Sequence, residues 1–292
     1  MNSSTHANRE SKLKLTTGRP FQWFLTLLVV VFLMAVTGCA GVTSSTIPAA
    51  VAEIRTGVLQ GYLPPDSLPN SLTLLPAPPG NDTVAFAADQ EAFRETRPLK
   101  NGPRWAQAAR DANLHFPEAP EAFSCALNAP ITRESTPNLY LLMQRTLTDA
   151  GYATSAAKNN YKRPRPFVVN KETSCTPEDE ARLSDNGSYP SGHTSIGWAW
   201  ALILAEIAPE RADAILSRGY AFGQSRVICG VHWQSDVHAG RVIGAAVVAR
   251  LHTDPVFLAQ LAAARKELAA VWAKGIKPSS DCKTEAAALA FQ

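Results

Sequence analysis

From residue 84 onward, apolar positions recur with helical spacing. The cleanest stripe is Ile196, Ala199, Trp200, Ile203, Leu204 and Ile207, spaced i, i+3, i+4, i+7, i+8, i+11, which puts all six on one helix face. A second stripe, Leu139, Leu142, Thr146 and Ala150, follows Thr136-Pro137, a capping residue and a first-turn proline. A third runs through Val237, Gly240, Gly244, Val247, Val248 and Leu251, its glycines allowing close helix contact. Pro209 opens a further helix, Asp254-Pro255 starts the last one, and Gly275 stops it. No alternating run competes as a strand. The pattern predicts an all-α, single-domain helical bundle over residues 61–275, with residues 276–292 as a C-terminal tail. None of these helices is long and apolar enough to cross a bilayer.

Upstream the pattern changes. Residues 40–60 read as a tether, beginning with the small-residue stretch "AGVTSSTIPAAVAE". The segment "GYLPPDSLPNSLTLLPAPPG" then holds six of the 21 prolines. It cannot be helix interior, and its leucines predict an extended arm lying on the domain. Residues 1–39 combine a basic leader with the apolar run "FQWFLTLLVVVFLMAV" and end in "VTGC". The run is short for a membrane span and suits a signal core. The ending resembles a bacterial lipobox, which implies cleavage before Cys39 and lipidation of its thiol. Ordinary cleavage between small residues and an uncleaved anchor are the alternatives. Each places the domain outside the cytoplasm, in the periplasm or cell envelope.

Charge excludes one class of partner. The chain carries a formal +3, but the excess lies in the leader. Beyond residue 39, 24 basic residues face 24 acidic ones, leaving no basic excess to recruit nucleic acid. Cys125, Cys175, Cys229 and Cys282 form an even set suited to two disulfides in an oxidising compartment, with three possible connectivities. No C-x-x-C or paired-histidine spacing suggests a metal site.

Three blocks carry the chemistry. "KNNYKRPRP" supplies Lys158 and, seven positions on, Arg165-Pro166. "GSYPSGHT" places Pro190-Ser191-Gly192-His193 at the mouth of the best-patterned helix, where free backbone N–H groups and the helix dipole favour an anion. "SRVICGVHWQSD" supplies Ser225-Arg226, His232 and Asp236. Singly, each has a structural explanation: a solvated basic face, a helix cap, a capped helix start. Together they match the three-part signature of the superfamily that contains type-2 phosphatidic acid phosphatases, vanadium haloperoxidases and bacterial class A nonspecific acid phosphatases. "GSYPSGHT", with the proline-rich "LTLLPAPP" upstream, is most similar to the class A acid phosphatases. The resemblance extends from about residue 60 to 270. Val231 and His238 depart from the aromatic and acidic residues more usual in the third block.

The resemblance implies an exported acid phosphatase of broad specificity for small phosphomonoesters, with phosphotransfer to other acceptors as a side reaction. His232 would be the nucleophile, Asp236 its orienting carboxylate, and His193 the general acid and then base. Lys158, Arg165 and Arg226 would neutralise the phosphate, with backbone N–H groups of Ser191 and Gly192 completing the cradle. Fixed cations take the part that magnesium plays elsewhere, so no metal or other cofactor is implied. A vanadium haloperoxidase, a lipid phosphatase and a non-catalytic surface lipoprotein are the competing readings. Membrane contact is expected only through the lipid anchor, and a homo-oligomer stays open. His115 and His252 fall outside the pattern and read as structural or surface residues.

Overall fold

The computed structural model describes residues 47–290, Ala49 excepted. The leader and Cys39 lie outside the described residues. Helices dominate: α1 (Val84–Thr96), α2 (Pro103–Arg110), α3 (Glu121–Leu127), α4 (Pro137–Tyr152), α5 (Ser155–Tyr161), α6 (Gly192–Ile207), α7 (Ala212–Ile228), α8 (Gln234–Leu251), α9 (Pro255–Ala273) and α10 (Cys282–Leu289). Single helical turns at Ser71–Leu74, Pro166–Asn170 and Glu180–Ser184 fill the connections. The bundle is all-α, as its periodicity predicts.

The best-patterned helix is also the central one. α6 packs against α4, α7 and α8. Ala199, Trp200, Ile203 and Leu204 are fully buried, each large side chain contributing roughly 1.5–3 kcal/mol. The Trp200 indole donates to the Met143 carbonyl at 3.0 Å, joining α6 to α4. The α6–α8 crossing needs glycine. A Cβ on Gly240 would lie 2.6 Å from the Ser191 carbonyl oxygen, and one on Gly244 would lie 2.5 Å from that of Ser195. This close approach brings the start of α8, just after His232, against the start of α6.

The proline-rich arm lies on the bundle. Asp149 of α4 accepts from the backbone N–H groups of Tyr62 at 2.9 Å and Leu63 at 3.2 Å. Arg145 donates to the Gly61 carbonyl at 2.8 Å and covers the Tyr62 ring. Further along, Ser71 Oγ accepts from the Ala157 N–H at 3.0 Å. The Tyr189 hydroxyl donates to the Pro76 carbonyl at 2.9 Å.

Three features depart from the sequence expectation. The proline-rich arm is not extended throughout, since Pro65–Ser67 and Ser71–Leu74 are helical turns. Within residues 40–60, β1 (Glu53–Arg55) and β2 (Val58–Leu59) form a small antiparallel hairpin around Gly57, which has φ +74°. Strands of three and two residues are too short for alternation to register. α9 is not the last helix: within residues 276–292 lies α10, capped by Asp281. Its first residue, Cys282, is bonded to Cys125 of α3. The second disulfide joins Cys175 to Cys229, which selects one of the three connectivities. Among the described residues, no single helix is long and apolar enough to cross a membrane.

Candidate active site

His232 sits in the tight turn between α7 and α8, 2% exposed. α8 begins two residues later, and Asp236 occupies its third position. There its carboxylate accepts from the Trp233 N–H at 2.9 Å and faces His232 Nδ1 at 3.4 Å. The i, i+4 spacing therefore does place the carboxylate behind the ring. Asp236 is held in turn by Arg163 Nη1 at 2.6 Å. Arg163 also donates to Asp89 at 2.8 Å, and Asp89 accepts from the Ser235 N–H at 2.8 Å.

The other face of the His232 ring meets a cation. Arg165 Nη1 lies 3.1 Å from Nε2 and 2.9 Å from the Val231 carbonyl oxygen. Its Nε donates to the carbonyls of Leu183 and Asn186. Lys158, in the middle of α5, donates to the Gly187 carbonyl at 2.8 Å. Arg226 is 2% exposed, and among the described residues its buried Nε and Nη1 have no partner. A buried guanidinium with idle donors is a costly arrangement that an anion would relieve.

Burial and mutual repulsion set the electrostatics of this cluster. Burial pushes the His232 ring well below its usual range, and Arg165, Lys158 and Arg226 push it further, so the ring is neutral. Lys158 is lowered to about 7, first by burial and then by Arg165. Arg226 falls to about 9 for the same two reasons. Burial raises the Asp236 carboxyl, while Arg163 and the Trp233 N–H oppose it.

His193 opens α6 at its second position. Its Nε2 lies 3.0 Å from the Ala112 carbonyl and can only donate there, leaving Nδ1 as the acceptor atom. Burial and Arg226, together with the nearby His232 and Arg165, hold it well below 6.5. An unperturbed pKa near 6.5 is therefore not what these neighbours provide. A phosphate dianion among the three cations would reverse much of their effect.

One donor assignment is corrected. The Ser191 N–H is committed to the Asp236 carbonyl at 2.9 Å, the bond that pins α8 to α6. Ser191 instead caps the helix, its Oγ accepting from the Thr194 N–H at 3.3 Å. Among the described residues, the N–H groups without a partner at this terminus are those of Gly192 and His193. A Cβ on Gly192 would meet only Thr154 Oγ1 at 3.7 Å and Lys158 Cε at 3.8 Å. Neighbouring protein atoms leave that space open, beside Lys158.

All the expected residues of the three blocks thus gather at one place. His115 is exposed on the surface, and His252 pairs with Glu206. Val231 is buried and serves through its carbonyl, while His238 is exposed and bonded to Gln234. Sequence reasoning missed Arg163, Asp89 and the Ala112 carbonyl. Arg163 had a signal, standing two residues before Arg165 in the same basic block. Asp89 had none. Among the described residues, no three His, Cys, Asp or Glu side chains gather in a metal-binding group.

Known proteins resemble this chain over most of its length. Residues 139–258 match the PAP2 superfamily, a span that includes every member of the three blocks. A non-specific acid phosphatase of Salmonella typhimurium is 46% identical over 224 residues, 76% of this chain and 90% of that protein. One from Providencia stuartii is 45% identical over 236 residues, covering 79% and 95%. An acid phosphatase of Zymomonas mobilis is 43% identical over 197 residues, covering 68% and 75%. With this degree of likeness over three quarters or more of each relative's length, the chain belongs to the class A nonspecific acid phosphatases of the PAP2 superfamily.

Proposed function

We propose that this acid phosphatase hydrolyses small phosphomonoesters of varied structure by two displacements through a phosphohistidine, without a metal ion. The observation that carries the reading is the buried His232 ring held between two charged groups, Asp236 at Nδ1 and Arg165 at Nε2. In the first step the Nε2 lone pair attacks phosphorus and the P–O bond to the leaving group breaks. His193, protonated at Nδ1 when the phosphate dianion binds, gives that proton to the departing oxygen, releasing the alcohol. In the second, water attacks the phosphohistidine, loses a proton to His193 and displaces His232. Inorganic phosphate leaves and both rings return to their starting states. Lys158, Arg165 and Arg226 neutralise the phosphoryl oxygens, with the Gly192 and His193 N–H groups at the helix terminus. Alcohols that replace water in the second step would be phosphorylated.

The basic leader, apolar run and Val36-Thr37-Gly38-Cys39 support export and attachment through a lipid on Cys39. The two disulfides suit that compartment.

The test is hydrolysis of p-nitrophenyl phosphate at acid pH with chelator present, in the wild type and in His232→Ala. Activity that survives the chelator, and falls by more than about a thousandfold in the variant, is expected. Residual activity within tenfold of wild type would remove His232 from the nucleophile's role. Acid-stable label on His232 would argue equally against the intermediate, since phosphohistidine is acid-labile and base-stable. Mass spectrometry of the exported protein tests the diacylated Cys39.

A further inference from the structure

A second buried charge cluster lies behind His193. Asp111 ends α2 with 1% exposure. Its carboxylate accepts from Gln107 Nε2 at 2.9 Å, from Ser225 Oγ at 2.6 Å and from both terminal nitrogens of Arg218. Arg104 donates to Ser225 Oγ at 2.9 Å. Arg218 Nε faces Glu285 of α10 at 3.5 Å, and α10 is fastened to α3 by Cys125–Cys282. Two carboxylates and two guanidiniums thus balance in a nearly dry space. None of them is among the groups assigned to the phosphate. What they do fix is the turn after α2, where the next residue, Ala112, presents the carbonyl that binds His193 Nε2.

We propose that Asp111 is a positioning residue for proton transfer, locking the turn whose Ala112 carbonyl orients His193, and that Glu285 reinforces it from α10 through Arg218. The inference rests on reading His193 as the general acid. Holding Nε2–H on a fixed carbonyl leaves Nδ1 as the atom that exchanges a proton with the leaving oxygen. A paired, buried network gives that carbonyl one position, whereas a solvated turn would give it several.

The chemistry of the leaving group provides the test. An alkoxide must be protonated as it departs, whereas p-nitrophenolate leaves readily without a proton. kcat/KM is measured for glycerol 2-phosphate and p-nitrophenyl phosphate in wild type, Asp111→Asn, Glu285→Gln and His193→Ala. For Asp111→Asn the loss on the alkyl ester should exceed the loss on the aryl ester by about tenfold or more. Glu285→Gln should show the same bias at about threefold. If Asp111→Asn does not fold, Glu285→Gln carries the comparison, its side chain being 15% exposed. Equal losses on the two esters, or no loss, would overturn the proposal, because a merely structural role lowers both alike. An unbiased His193→Ala would instead remove the general-acid reading itself. In the wild type, imidazole ¹⁵N shifts should show His193 as the single Nε2–H tautomer, and a tautomer mixture should appear in Asp111→Asn.

Discussion

Arg165 Nη1 stands 3.1 Å from His232 Nε2, while Asp236 faces the same ring's Nδ1 at 3.4 Å. A guanidinium only donates, so Nε2 must carry the lone pair and Nδ1 the proton. The arrangement selects the tautomer a nucleophile needs.

Asp236→Asn should disturb that choice, because an amide can present its N–H to Nδ1 and stabilise the wrong tautomer. kcat should fall by about a hundredfold or more, with KM within about threefold. Steady-state kinetics on p-nitrophenyl phosphate decide it. A large rise in KM at constant kcat would assign the residue to binding instead.

The lowered pKa of Lys158, about 7, predicts a pH limb for substrate affinity. Below that value the ammonium is charged and attracts phosphate, while above it the charged fraction falls about tenfold per pH unit. KM should therefore be flat below pH 7 and rise above it, and Lys158→Met should abolish the limb. For stability the sign is opposite to that of an ordinary ion pair. Between about 7 and 10.5 the unfolded chain keeps a proton that the folded chain has lost, so stability rises with pH across that window. Below 7 the cost is fully present. Lys158→Met should raise the thermal midpoint at pH 5 more than at pH 10.

Arg226 predicts a crossover. Its idle buried donors destabilise the empty protein and reward an anion. Inorganic phosphate at a hundred times its Kd should stabilise the wild type by about 2.7 kcal/mol. Arg226→Met should match or exceed the wild-type midpoint without phosphate and lose most of the phosphate-induced shift. Differential scanning fluorimetry with and without phosphate reads both arms.

Gly240→Ala should damage activity more than stability. The added Cβ would press on the Ser191 carbonyl oxygen, 2.6 Å away, and on Thr194. Overpacking of this kind costs about 1–3 kcal/mol, but here the strained atoms belong to the cap that begins the cradle. The expected outcome is a folded protein, by circular dichroism, with kcat/KM reduced at least about tenfold.

Much of this molecule was legible in its residues, for identifiable reasons. The α6 stripe could be read because 16 residues give the helical period more than four turns to declare itself. α10 and the β1–β2 hairpin could not, being too short for their periods to repeat more than about twice. In the site, Lys158, Arg165, His193, Arg226, His232 and Asp236 carried a signal in their mutual spacing. Asp89 and Asp111 act through contacts spanning more than a hundred residues, to Ser235 and Ser225, and nothing local marks them. The Ser191 N–H was misassigned because its partner, the Asp236 carbonyl, appears only once α6 and α8 cross.

The segment on which Ser71 and Pro76 lie contains none of the signature residues, yet it supports two of the walls that do. Ser71 holds the start of the helix bearing Lys158, and Pro76 anchors the tyrosine just before the Pro190–His193 turn. Shortened forms of the enzyme should therefore begin ahead of Ser71, however complete the catalytic blocks appear in a smaller fragment. A version starting at residue 80 would keep every reactive group and lose the scaffolding that aims them.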